Sequence, residues 1–220
     1  MKSPHVNLAI CVVVLFNFSV SGQSSIISAS EKNRILLFDG KTFNGWEGDT
    51  AKTWRIEDNA IVGGSFEETV THNFFLATIK QYSNFILKLK FKLIGKEGFI
   101  NAGVQFRSGR MTDPSYEMKG YQADLGPNYW ASLYDESRRN ITLVFPDSSL
   151  IEKILKPGGW NDFEVRAKEN SIEIFLNGHR TIRYEEADQA IPKTGIIGLQ
   201  VHGGGKTVVW YKDIFLEQLP

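Results

Sequence analysis

The stretch that most restricts how this chain can fold is NFILKLKFKLIG, residues 84–95. Phe85, Leu87, Leu89, Phe91 and Leu93 take every second position, and Lys88, Lys90 and Lys92 alternate with them. A period of two sends the apolar set to one face and the lysines to the other, which is the pattern of a half-buried β-strand. DFEVRAK (162–168) repeats it, with Phe163, Val165 and Ala167 set against Glu164, Arg166 and Lys168. SIEIFLNGHRTIRY (171–184) reads as two strands around Asn177-Gly178, a pair that tolerates the positive φ of a tight hairpin turn. TWRIEDNAIVGG (53–64) reads as another pair turning at Asp58-Asn59, and TGIIGLQVHG and KTVVWYKDIFLEQL supply two closing strands. No segment carries an amphipathic helix of three turns, and EEADQA (185–190) has room for one short turn. Many short strands with frequent turns imply an all-β fold, and at this length a two-sheet jelly-roll sandwich. The lysine-bearing strand fits the solvated back of such a sandwich.

Composition narrows the function. Of 220 residues, 25 are basic and 25 acidic, so no electrostatic footprint for nucleic acid is present. Aromatic content is 12% and glycine is plentiful at 20 residues, which suits a β-rich chain with many turns. MKSPHVNLAICVVVLFNFSVSG reads as a secretory signal peptide over residues 1–22, cut before Gln23. Its apolar run is too short for a comfortable membrane span. Ile10 is too large for the small residue that precedes a lipidated cysteine, so Cys11 is not expected to be a lipoprotein anchor. Residues 23–33 read as a short polar leader and 34–220 as one domain, exported to the periplasm or beyond. Cys11 is the only cysteine, so the exported form has no disulfide, thiol nucleophile or zinc–thiolate site.

Three strands break the solvated lysine/glutamate pattern. In GFINAGVQFRSG (98–109), Ala102, Val104 and Phe106 form the apolar face, and Asn101, Gly103, Gln105 and Arg107 the other. In GYQADLG (120–126), Tyr121, Ala123 and Leu125 oppose Gln122 and Asp124. In IGLQVHGG (197–204), Leu199 and Val201 oppose Gln200 and His202. Amides orient hydroxyl groups, arginine offers a rigid donor fork, and an acid with an imidazole can move protons near neutrality. Glycines leave room for a ligand to approach the sheet. If these strands are neighbours, the groups converge on one groove. PNYWASLYDESRRN (127–140) adds Tyr129, Trp130 and Tyr134 among Asp135, Glu136, Arg138 and Arg139, the mixture that stacks a sugar ring and holds its hydroxyls.

Other chemistries find no support. Asp135 and Glu136 are adjacent, so on a strand they face opposite ways and make no glycosidase pair. No H-E-x-x-H, G-x-S-x-G or P-loop occurs. No cofactor is called for, although oxygen ligands for a divalent metal ion remain available.

The blocks LLFDGKTFNGWEG, WRIEDNAIVGG, NAGVQFRS, GYQADLG, LYDESRRN, GWNDFEVRAKENSIEIFLNG and GIIGLQVHGG, in that order, resemble the bacterial family once called DUF1080 and now described as 3-keto-disaccharide hydrolases. The likeness spans roughly residues 35–219, and Asn59 is a departure where many members have Gly. It implies a concanavalin A-like jelly roll and exported enzymes acting on glycosides oxidised to a ketone at sugar C3. The ketone acidifies the C2 proton, so loss of that proton and β-elimination of the C1 substituent cleave the glycoside without an opposed carboxylate pair. Water addition would complete a net hydrolysis. On that chemistry His202 is the expected base, with Asp124 the alternative, and Arg107 the expected enolate stabiliser. Asn101, Gln105, Gln122 and Gln200 would hold hydroxyls, Trp130 would stack the sugar, and Tyr134 and Arg138 would close the groove. A non-catalytic carbohydrate-binding module and a conventional endo-glycosidase are the rival readings. In each case the partner is a carbohydrate, and oligomeric state is not legible.

Overall fold

Alternation decides the architecture strand by strand. The computed structural model describes Met1 and residues 34–220, so the expected signal peptide, leader and Cys11 lie outside the described residues. Fifteen strands follow one another: β1 (Arg34–Leu36), β2 (Trp46–Glu47), β3 (Trp54–Glu57), β4 (Ala60–Gly64), β5 (Phe74–Thr78), β6 (Phe85–Gly98), β7 (Ala102–Arg110) and β8 (Met118–Leu125). Then come β9 (Leu133–Glu136), β10 (Ile141–Val144), β11 (Asn161–Lys168), β12 (Ser171–Leu176), β13 (His179–Glu185), β14 (Ile196–Val201) and β15 (Gly205–Gln218). They form two antiparallel sheets, a jelly-roll sandwich. One runs β13-β12-β11-β6-β15-β4-β3, with β1 pairing β15 beyond the end of β4. The other runs β10-β9-β8-β7-β14-β5-β2.

β6 behaves as its alternation requires. Phe85, Leu87, Leu89, Phe91 and Leu93 are buried between the sheets. On the outer face Lys88 and Lys90 pair with Glu164 and Asp162 of the neighbouring β11, and Lys92 lies 4.0 Å over the Trp210 ring. The second sheet contributes Val104, Phe106, Tyr121, Ala123, Leu199 and Val201 to the same core. Phe106 meets Phe85 edge-on at 6.4 Å across the sheets and stacks on Tyr121 at 5.6 Å. Tyr211 of β15 also crosses the core, donating its hydroxyl to the carbonyls of Gly103 and Gln200 at 3.0 and 2.8 Å.

The expected turns hold. Asp58 and Asn59 both have positive φ, 48° and 58°, as do Asn177 and Gly178, 48° and 83°. These are the two-residue turns whose twist matches the paired strands. One short helix, α1 (Ser148–Ile154), was not anticipated. Asp147 caps it, accepting from the Ser149 amide at 2.8 Å, and Ile151 is its buried residue. Two turns are too few for a helical period to show in sequence. EEADQA forms only a turn after β13. No helix among the described residues is long and apolar enough to cross a membrane.

Phe106 joins both sheets at the centre of the core, so Phe106→Ala is expected to cost about 3–5 kcal/mol in a denaturant titration.

Candidate functional site

The three strands with atypical polar faces are neighbours, in the order β8-β7-β14, with β9 next to β8. Register sets their groove-facing residues in rows. Asp124, Gly103 and Gln200 make one row, and Tyr134, Gln122, Gln105 and Gly198 the next. The His202 amide bonds the Asn101 carbonyl at 3.1 Å, which carries that pair on beyond them. Gly103 is bare for a reason: a Cβ there would lie 2.5 Å from the Gln122 side chain. That side chain instead lies across β7 and reaches β14. Gln122 Nε2 donates to Asp124 Oδ1 at 2.8 Å and to Gln200 Oε1 at 3.2 Å, and Gln200 Nε2 donates to Glu136 Oε2 at 3.3 Å. Two amides therefore link two carboxyls across four strands.

Above them is a cavity of about 160 Å3 lined by Phe99, Asn101, Gln122, Asp124, Tyr129, Tyr134, Glu136 and His202. Asn101 Oδ1 and Gln122 Oε1 are buried there with no protein partner. Buried polar atoms left unpaired are costly, and here they offer acceptors to a hydroxyl-bearing ligand or to water.

Both carboxyls are poised near neutrality. Burial pushes Asp124 up to about 7, with the charge of Glu136 adding and the Gln122 hydrogen bond opposing. Burial pushes Glu136 up to about 7 as well, with Glu117 adding and Gln200 opposing. Burial holds His202 below the usual imidazole value, opposed by its bond to the Gly203 carbonyl. That bond, Nδ1 to oxygen at 2.7 Å, requires the proton on Nδ1 because a carbonyl only accepts. The lone pair is then on Nε2. Tyr134 is raised by burial and by Glu136 and Asp124, so it keeps its hydroxyl proton and can donate. Among the described residues no three of His, Cys, Asp and Glu group closely enough to hold a metal ion.

The expected site residues divide. Asp124, His202, Asn101, Gln122 and Tyr134 line the cavity. Gln200 lies beneath it, bridging Gln122 and Glu136. Gln105 is fully buried and accepts from Ser108 Oγ at 2.6 Å, so it supports the floor and touches no open space.

Three expectations are corrected. Arg107 does not face the cavity. A β-bulge sets Arg107 and Ser108 opposite Gly120, and Arg107 adopts φ +47°, so the alternation resets and Ser108 takes the groove face. The guanidinium turns away to Ser83 O at 2.9 Å, Glu169 O at 2.6 Å and Asn84 Oδ1 at 3.2 Å. Arg138 does not close the groove either, because buried Asp135 on the core face of β9 takes it at 2.9 Å and it lies 4.5 Å over Tyr121. Trp130 stacks on Phe91 at 6.1 Å, packed against the core rather than lining this cavity.

Sequence reasoning missed Phe99, and it named Glu136 and Tyr129 only within a sugar-binding mixture, with no role of their own. Glu136 was discernible in part, since the alternation that separates it from Asp135 puts it on the face of Tyr134.

A family model described as a 3-keto-alpha-glucoside-1,2-lyase-like domain matches residues 33–217. No curated protein matches the chain. Among solved structures, a candidate glycosyl hydrolase of Parabacteroides distasonis is 24% identical with a TM-score of 0.65, over 86% of this chain and 95% of that one. The carbohydrate-binding module CBM66 of Bacillus subtilis is 15% identical with a TM-score of 0.60, over 79% and 96%. A Bacillus subtilis protein with a galectin-like fold is 13% identical with a TM-score of 0.59, over 84% and 94%. These structures share the fold.

A carboxyl whose folded pKa lies above its unfolded one favours folding while protonated and loses that contribution as pH rises through the folded value. Asp124→Asn removes the burial cost of the charge. It is expected to raise the melting temperature above wild type at pH 8, with the difference vanishing near pH 3.

Proposed function

Because the chain belongs to the 3-keto-alpha-glucoside-1,2-lyase-like family, we propose that it cleaves glycosides already oxidised to a ketone at sugar C3. The observation that carries this reading is the meeting, in one cavity, of a neutral imidazole with a free Nε2 and two carboxyls held near pKa 7. His202 Nε2 takes the C2 proton, and the electrons of that C–H bond form the enolate, with its charge on the C3 oxygen. Tyr134 donates a hydrogen bond to that oxygen, the role expected of Arg107 from sequence. The enolate then re-forms the C3 carbonyl, makes a C1–C2 double bond and releases the C1 oxygen. Protonated Glu136 supplies the proton to that departing oxygen. Asp124 is one row from His202 and holds a sugar hydroxyl beside the base, while Asn101 and Gln122 accept from others. Water adding across C1–C2 completes hydrolysis; without it the reaction is a lyase reaction. The segment 1–22, with Lys2 ahead of a short apolar run and small residues after it, further suggests an exported enzyme.

A conventional glycosidase is a poorer fit even though two carboxyls now share the cavity. That chemistry needs one acid and one ionised partner, with environments that push their pKa values apart. Here burial raises both to about 7. The carbohydrate-binding reading draws on the fold it shares with CBM66. Incubation with 3-keto-glucosides separates the two: binding of intact sugars with no release of the C1 substituent from any keto substrate would overturn the enzyme reading.

His202→Ala and Glu136→Gln are each expected to lower kcat at least about 10²-fold in that assay. Arg107→Lys should instead lower thermal stability and keep kcat in the folded fraction. The profile of kcat/KM against pH is expected to be bell-shaped. It rises as pH passes the lowered His202 value, where the base loses its proton, and falls through about 7 as Glu136 loses its own.

A further inference from the structure

The cavity holding Asp124 and Glu136 measures about 160 Å3. The cavity opens to the surface, so a group attached at C1 of a bound sugar extends past its rim. Tyr129 is part of the cavity wall, and its ring meets Phe99 edge-on at 6.2 Å on the cavity side. The same ring also meets Phe145, at 6.4 Å. Past Phe145 is a second depression of about 360 Å3 whose apolar lining is Trp130, Phe145, Pro146 and Ile151. Asn128, Ser148 and Glu152 also line it.

Two features of this depression go unexplained by folding. Phe145 is 58% exposed although nothing in the core requires an aromatic ring there. Trp130 stacks on core Phe91 and still lines the depression, so the core holds the indole rigid beside open space. The depression is also tied to the site. The Ala131 amide bonds the Asp124 carbonyl at 2.8 Å, and the Asp124 amide bonds the Ser132 carbonyl at 3.0 Å. The Tyr129 amide closes the same loop on Gly126 at 2.9 Å. Tyr129 and Trp130 are therefore held in register with the strand that carries Asp124.

On the keto-glycoside reading above, we infer that this depression receives the leaving group and that it fits a flat aromatic aglycone. The aromatic faces of Phe145 and Trp130 offer stacking to such a ring, and the four apolar residues of the lining outnumber the three polar ones, Asn128, Ser148 and Glu152. The surface on another side of the site, where Asn73 Nδ2 donates to Glu117 Oε1 at 3.0 Å, is the polar alternative for a carbohydrate leaving group.

The experiment compares phenyl and methyl 3-keto-glucosides with wild type and Phe145→Ala, after circular dichroism confirms that the variant is folded. The wild type is expected to favour the phenyl compound in kcat/KM by more than phenoxide's intrinsic advantage as a leaving group. The phenyl-over-methyl ratio should fall roughly 5- to 10-fold in the variant, the scale of one aromatic contact. A parallel titration calorimetry arm measures binding of unoxidised phenyl and methyl glucosides to both proteins and needs no turnover. If no keto substrate reacts yet phenyl glucoside binds better than methyl and loses that preference in Phe145→Ala, the keto chemistry fails and the aromatic subsite stands. Equal handling of phenyl and methyl compounds by wild type in both arms, or a phenyl preference untouched by Phe145→Ala, would overturn the inference.

Discussion

Asp135, a carboxylate with no access to water, is the interaction on which the site's geometry depends. It faces the core side of β9 and accepts from both Arg138 and Arg139. Arg139 continues to Glu186, whose carboxylate also takes the hydroxyls of Tyr121 and Tyr184. Burial alone would raise Glu186, yet the hydrogen bonds from Arg139 and Tyr121 bring it down to about 2. The network joins β8, β9, β13 and the segment after it. Buried ion pairs of this kind add little net stability but penalise any arrangement that leaves a charge unpaired. With Asp135 held inward, alternation turns Tyr134 and Glu136 toward the groove. A one-residue slip of β9 would bury Glu136 in the core and strand Asp135 outside.

The groove reverses the usual economy of a sheet surface. A solvated face carries charge that water stabilises, as the lysines of β6 do. The groove face of β8, β7 and β14 instead buries Asp124, Gln122, Gln200 and Asn101 almost completely. Desolvation then raises the carboxyls and lowers the imidazole, so the groups that strain the fold near neutral pH are those suited to proton transfer there. Glycine makes this spatially feasible at Gly103, where Gln122 crosses the strand, and at Gly120, with φ +143° and Ser108 of the bulge against it.

Alternation carried much of this into the sequence. The core faces of β6, β7, β8, β11 and β14 read directly from it, as did both two-residue turns. So did the opposite orientation of Gln122 and Asp124, because a regular strand has no freedom to choose. Reading failed where regularity stops. Arg107 stands in phase with Gln105 on paper, but the bulge inserts a residue and sends the guanidinium to backbone carbonyls of two distant loops. Arg138 and Trp130 lie in an irregular stretch, and their places were set by Asp135 and Phe91, partners that only folding brings near. Glu136 went unassigned because its closest chemical partners, Gln200 and Glu117, are 64 and 19 residues away in the chain.

Sequence by itself determined the all-β class, the inward and outward faces of the long strands, and the set of unusual polar residues on three of them, since each follows from local period and residue chemistry. Tertiary structure decided that those three strands are neighbours, that β9 joins them, and that Glu136 rather than Arg107 completes the cavity. Strand order, bulges and buried charge pairing depend on contacts between residues far apart in the chain, and no local pattern encodes which distant partner a side chain will meet.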